Sequence, residues 1–419
     1  MMNEHGRGDY ESTYQEQSDN VSTNDALEAR ISRFLHKEAE KIHFSPDLRH
    51  RIIQNASSQR HRRHHYITIA VLASAAALIL ALSGLTYLMV NPTTPPGLSY
   101  TVSKEITVAP ELANGGQLLS LDPTERHIVY QPAGQGGVLY TADLTNPVQS
   151  NTLAMRYARD MAWSPDGSAL VATVVPMNTT HPLLALVPAG QYMRLLGHNN
   201  ALAANWSPTS ADEVMFAQQQ HGQTELWSTK TSGAPATLQV TLSEQLLIQH
   251  MNWSFDGRYL ALVVAQSGAV TREALAQPAR AIYVMDFQTR KLTTLVAPGN
   301  FTIGNVAWSP ATHELAYEQI TTNQASHLIT IDISNPEKPT SITPQHQLEG
   351  WSWAADGQAL VYSDGGKLMA HVFHGPPITI SQPKQQQLIS PFWLKDGQIL
   401  CMHITNGKGT LMLLTPHRQ

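Results

Sequence analysis

Hydrophobic positions along this chain follow three different patterns. From Tyr66 to Val90 there are 25 consecutive residues without an Asp, Glu, Lys or Arg. A helix of that length rises roughly 37 Å, more than the ~30 Å hydrocarbon layer of a bilayer. The pattern predicts a transmembrane helix over 66–90. A cleaved signal peptide would carry a shorter apolar stretch close to the N-terminus. Ahead of this segment, Leu27, Ile31, Phe34, Leu35 and Ile42 recur at helical spacing, and Asp25 with Glu28 forms a capping-box pattern. Ser45-Pro46-Asp47 reads as the start of a second short helix carrying Leu48, Ile52 and Ile53. After the proline-stiffened linker 91–99, short β-rich runs separated by turn residues fill the chain to its end.

Those runs repeat. The marker is an aromatic residue, a turn and then a strand: Trp163-Ser-Pro-Asp-Gly, Trp206-Ser-Pro, Trp253-Ser-Phe-Asp-Gly, Trp308-Ser-Pro, Trp353-Ala-Ala-Asp-Gly and Trp393-Leu-Lys-Asp-Gly. A degenerate first copy, Leu121-Asp122-Pro123, has leucine in place of tryptophan. Successive markers stand 42, 43, 47, 55, 45 and 40 residues apart. A period of that length with several strands per unit signals propeller blades. The Asp-Gly pairs containing Asp166, Asp256, Asp356 and Asp396 suit hairpin turns that need a positive φ. The expected fold is all-β: a propeller over 100–419, of seven blades, or six if the degenerate copy is not a full unit. The segment from Tyr100 has no marker of its own, and it is expected to complete the last blade beside the strand that starts at Thr410. Sheets of this kind bury both faces by packing on their neighbours, and a closed ring removes most open strand edges.

Charge sets the orientation and removes several function classes. Arg49, Arg51, Arg60, Arg62 and Arg63 precede the apolar segment, whereas the first cation after it is Lys104. This asymmetry places the N-terminus in the cytoplasm and the propeller outside. Residues 1–24 are acidic and poor in large apolar side chains, which reads as a disordered tail. Residues 25–65 read as cytoplasmic amphipathic helices. Within them 25–57 can hold a cytoplasmic protein, with Leu27, Ile31, Phe34 and Leu35 as the contact face. Charged residues are only 14% of the chain and the net charge is −5, so no basic field exists to attract nucleic acid. The single cysteine, Cys401, excludes an intramolecular disulfide and a cysteine-rich metal site.

Catalytic and cofactor motifs are missing from the readable patterns. There is no Gly-x-Ser-x-Gly, no second histidine to pair with His313-Glu314 in a zinc-binding helix, and no phosphate-binding glycine loop. The expectation is therefore no enzyme, no metal and no cofactor, with a propeller hydrolase or lyase as the remote alternative. The tryptophans, one per blade, are expected to pack between blades, and the turn acids to shape their hairpins. One feature breaks the repeat. The 55-residue spacing contains an insertion, 266–280, whose Thr271, Arg272, Glu273 and Arg280 are candidate partner-binding residues on a projecting loop.

The markers, together with Tyr283-Val284-Met285-Asp286 and the weaker copies Leu139-Tyr140-Thr141-Ala142-Asp143 and Leu328-Ile329-Thr330-Ile331-Asp332, resemble the repeat of TolB-like β-propellers. Leu196-Gly197-His198, eight residues before Trp206, resembles the Gly-His element of Trp-Asp repeats. The resemblance covers about three quarters of the chain; it implies the propeller fold and is nearly silent on activity. Two functions are expected from these features. The first is a membrane-anchored extracytoplasmic module that binds a protein or glycan ligand. The second is a transmembrane signalling protein of anti-sigma-like layout, holding a regulator inside and sensing outside.

Overall fold

The computed structural model describes Ser99 to His417, apart from 107–111, 135–137, 148–149, 154–157, 176–180, 268–276, 373–374, 376 and 382–386. The expected membrane helix over 66–90, the helices over 25–65 with Leu27, Ile31, Phe34 and Leu35, and the insertion residues Thr271, Arg272 and Glu273 lie outside the described residues. Among the described residues, no helix is long and apolar enough to cross a membrane.

Seven four-stranded antiparallel sheets account for all the described strands. In chain order the blades span 116–153, 158–199, 201–241, 246–296, 301–342, 348–381 and 387–417. Six of them use consecutive strands; the seventh takes its fourth strand, Ser99–Ile106, from the N-terminal side. That strand pairs with Lys408–His417, from Ser99 opposite His417 to Ile106 opposite Leu411. Buried Tyr100 fastens it further, its hydroxyl donating to the Gly397 carbonyl at 3.2 Å. The degenerate first copy is a full blade, which settles the count at seven. Ring closure by the segment starting at Tyr100 follows the sequence expectation.

Each blade buries both faces. The second strands Ala169–Val174 and Ala359–Asp364 are buried at every residue, which explains why such runs read as unbroken apolar stretches rather than as alternation. Seven apolar clusters sit one at each junction between neighbouring blades. The cluster between blades 2 and 3, for example, joins Val171 and Leu184 to Trp206 and Phe216. Each fully buried aliphatic side chain contributes about 1.5–3 kcal/mol relative to exposure, so the ring is held by its junctions.

The marker residues close the first strand of each blade and form a corner into the second. In blade 2, Ser164 Oγ accepts from the Ala169 N–H at 3.0 Å and donates to Asp166 Oδ1 at 2.6 Å. The same carboxylate oxygen accepts from the Ser168 N–H at 3.0 Å. Gly167 closes the turn at φ +69°, and a side chain there would strike Asp122 of the preceding corner. Glycine is thus required both by conformation and by the neighbouring blade. Blade 1 solves the same corner differently. Its buried Asp122 accepts from the Arg126 and His127 N–H groups, both at 2.7 Å, and Glu125 takes the positive φ of +61° in place of glycine.

Candidate functional site

The first strands of all seven blades face one another across a central cavity of about 610 Å³. Every one of them carries a register break close to the cavity: between Leu118 and Ser120, Ala158 and Asp160, Ala201 and Ala203, Ile248 and His250, Ile303 and Val306, Leu348 and Trp351, and Ile389 and Phe392. A bulge re-aims the side chains beside it. Three positions before each marker, the ring reads Leu118, Asp160, Ala203, His250, Asn305, Gly350 and Ser390. All but Ala203, which is fully buried, line the cavity.

Two of these side chains meet. His250 Nδ1 lies 2.5 Å from Asp160 Oδ1, so blade 4 is tied to blade 2 across blade 3, whose residue at this level is the small Ala203. The other Asp160 oxygen accepts from the N–H groups of Ala204 at 3.1 Å and Met251 at 3.3 Å. Burial disfavours the imidazolium, but the Asp160 charge and hydrogen bond, with a backbone hydrogen bond to Val306 of blade 5, outweigh it and raise the His250 pKa. The buried aspartate therefore has its charge matched and its oxygens bonded, as a buried carboxylate requires. The pair braces blades 2, 3, 4 and 5.

One position before the marker, further bonds run from blade to blade. Asn205 Nδ2 donates to the Met251 carbonyl at 2.6 Å. Asn252 Oδ1 accepts from the Trp308 N–H at 3.1 Å, and Ser352 Oγ from the Trp393 N–H at 2.8 Å. The marker tryptophans add their own links. The indole N–H of Trp206 donates to Ala162 O at 2.8 Å, that of Trp308 to Asn252 O at 2.8 Å, and that of Trp353 to Ala307 O at 3.1 Å. Trp163 and Trp253 make no such bond. Trp163 stacks on His127 and packs in the junction of blades 1 and 2, while Trp253 lies against Phe287. Trp393 packs at the junction of blades 6 and 7.

The four turn acids lie at the corners and are not gathered in the cavity. Asp356 and Asp396 each accept from an N–H two residues on, at 2.9 Å. Hydrogen bonds from Ser164 and the Ser168 N–H hold Asp166 below the usual carboxylate range. Burial works against ionised Asp256, yet Ser254, His313 and the Arg258 N–H bring its pKa down to about 2. Its contact with His313 of blade 5, at 2.8 Å, joins two corners. Phe255 stands where the corners of blades 1, 2, 3 and 5 have proline and stacks on that imidazole at 5.4 Å. Of the insertion, Arg280 is exposed beside a recess of about 400 Å³ at the end of blade 4 opposite its corner. His198 of the Gly-His element lies in the outer strand of blade 2, bonded to Thr229 at 3.2 Å. Cys401 is fully buried, and loss of hydration pushes its thiol up to about 12. Among the described residues, no group of three or more His, Cys, Asp or Glu side chains is arranged to hold a metal ion.

A closed seven-bladed ring with one strand of every blade walling a central cavity defines a β-propeller. Residues 137–386 match the family of the lipoprotein LpqB β-propeller domain, and the chain belongs to that family. No curated protein matches the chain. Among solved structures it is similar to TolB from Acinetobacter baumannii, with 15% identity, 73% of this chain and 63% of that chain covered, and a TM-score of 0.41. The chain thus spans less than two thirds of that TolB chain. It is also similar to the β-propeller domain of Cps50 (Swd1) from Myceliophteria thermophila, with 11% identity, 75% and 99% covered, and a TM-score of 0.49.

Apart from marker residues such as Trp163 and Trp353, the residues that line the cavity escaped the sequence reading. Their signal is a column: once the markers are aligned, the third position upstream holds Asp160, His250, Asn305 and Ser390 in otherwise apolar strands.

Proposed function

We propose that the propeller is a binding module held on the outer side of a membrane by the 66–90 segment, and that it binds rather than catalyses. The observation that carries this reading is the central cavity. It has the volume of a ligand site, about 300–1,000 Å³ in general, and every blade contributes to its wall. Its one acid–histidine pair is spent on bracing four blades. Placement outside is supported by the arginines ahead of the apolar segment, and placement at the envelope by the lipoprotein family to which the chain belongs.

Two measurements on whole cells test this. Tyr192 is 96% exposed and the native cysteine is buried, so Tyr192→Cys creates a single reactive thiol. Labelling of intact cells by a membrane-impermeant maleimide is expected; labelling only after lysis overturns the topology. A photo-crosslinking residue at Ser120, in the cavity wall, should trap a ligand or partner. The same residue at Leu238, on an outer strand, should not, and equal yields at both sites count against binding in the channel.

The second reading, signalling across the membrane, is favoured by one observation: the strand that closes the ring, Ser99–Ile106, directly continues the N-terminal part of the chain. Stoichiometric capture of a cytoplasmic protein by residues 1–65 is its expected result, and failure to capture one removes it.

A further inference from the structure

The ring of residues three before each marker contains the same arrangement twice: a polar side chain, a small residue, and a second polar side chain. In blades 2 to 4 it is Asp160, Ala203 and His250, and there the polar groups meet across the small residue. In blades 5 to 7 it is Asn305, Gly350 and Ser390, and there they do not. Among the described residues, neither the Asn305 amide nor the Ser390 hydroxyl has a hydrogen-bond partner, although both residues line the cavity. Ser390 is only 7% exposed and sits at φ +49°, a conformation that is costly for serine. Gly350 between them, at φ +103°, passes so close to Ser390 that a side chain would fall 2.8 Å from its Cα. The result is a notch with an unspent amide on one side and an unspent, nearly buried hydroxyl on the other.

Resting on the binding role proposed above, we infer that the Asn305–Gly350–Ser390 notch takes a neutral carbohydrate. Three features of the wall select that class. No Lys or Arg lines the cavity among the described residues, and its one acid is matched by His250, so a charged ligand would lose hydration without gaining a counter-charge. Amide and hydroxyl side chains both donate and accept, as the hydroxyls of a sugar do. Beside the notch, the aromatic residues Trp351 and Phe392 contribute to the cavity wall, and aromatic surface is what the C–H face of a sugar packs on. A hydroxyl-free ligand would leave the two polar groups unpaired, which a site of this kind penalises.

The test uses the full chain in a detergent without a sugar headgroup. Neutral di- and trisaccharides of glucose, galactose and N-acetylglucosamine are screened by saturation-transfer NMR, with an N-acetylated, C-amidated neutral tripeptide as the competing class. Saturation of at least one saccharide is expected. Ser390→Gly keeps the positive φ and relieves it, so this variant retains the wild-type unfolding midpoint or exceeds it. It should nevertheless weaken saccharide binding roughly three- to tenfold, and Asn305→Ala by a similar factor. Three results overturn the inference: silence of every saccharide, binding that both variants leave unchanged, or response to the tripeptide alone. If the saccharides fail while the Ser120 probe still traps a ligand, the carbohydrate assignment falls and the binding module stands.

Discussion

The corners and the channel wall are built from the same side-chain chemistry over very different chain distances. At the corner of blade 2, the side-chain bonds of Ser164 and Asp166 close within five residues. In the channel wall the bonds of Asp160 reach 44, 90 and 91 residues along the chain, and the Asn252 bond to Trp308 spans 56. A corner is therefore a local device that each blade can repeat independently. The wall is a property of assembled blades, because none of these bonds exists until at least two blades have packed together. The marker tryptophans belong to both regions: they end the wall strand, open the corner and fill the junction.

This contrast orders the expected effects of substitution, each read as a shift in the unfolding transition followed by tryptophan fluorescence or circular dichroism. Trp206→Ala empties a junction and deletes a bond to the preceding blade. It should cost about 3–5 kcal/mol, and a loss below 1 kcal/mol would break the view that junctions hold the ring. Asp122→Ala removes a buried carboxylate that satisfies two backbone N–H groups of the blade 1 corner, at a cost of roughly 3 kcal/mol. Ser164→Ala, at the regular corner, leaves Asp166 in place and should cost only about 1–2 kcal/mol. Equal losses in these two would deny that blade 1 relies on its aspartate.

The brace in the wall sharpens the contrast through pH. The folded-state pKa of His250 is raised, so its contribution is fully present below the unfolded value of about 6.5 and fades as pH climbs through the folded value. The stability gap between wild type and His250→Gln should accordingly be widest near pH 6 and narrow toward alkaline pH. Burial lowers the pKa of His198 and His371, but both are shared by the two chains and cancel in the gap. A gap that widens with rising pH contradicts the brace. The smallest effect is expected at Glu125, which holds the left-handed φ that the corners of blades 2, 4, 6 and 7 give to glycine. Glu125→Gly relieves that conformation, worth about 1–2 kcal/mol, but loses the bond from the Lys395 N–H at 2.7 Å. The net gain should not exceed about 1 kcal/mol.

The same division explains what the sequence discloses. Corners leave motifs, because Ser, Asp and Gly must stand at fixed offsets for a bond that closes within five residues. From them the blade period, the seventh copy and the closing strand are all readable. The wall leaves only single departures: a histidine at 250 acquires meaning when Asp160 lies opposite and Ala203 is small between them. No local pattern announces that coincidence, since it depends on which strands the ring brings face to face. Ser390 illustrates the limit, for neither its positive φ nor its seclusion follows from the residues beside it.

Because strand Ser99–Ile106 finds its partner only at Lys408–His417, the final rung of the ring waits for residues synthesised more than three hundred positions later. Bringing such distant ends together costs roughly 5 kcal/mol of chain entropy, and pairing of this range folds slowly. Until it happens, an apolar ladder edge of the seventh sheet stands open during biogenesis. Whatever escorts the emerging polypeptide has that interval to cover, and a protease has the same interval in which to cut.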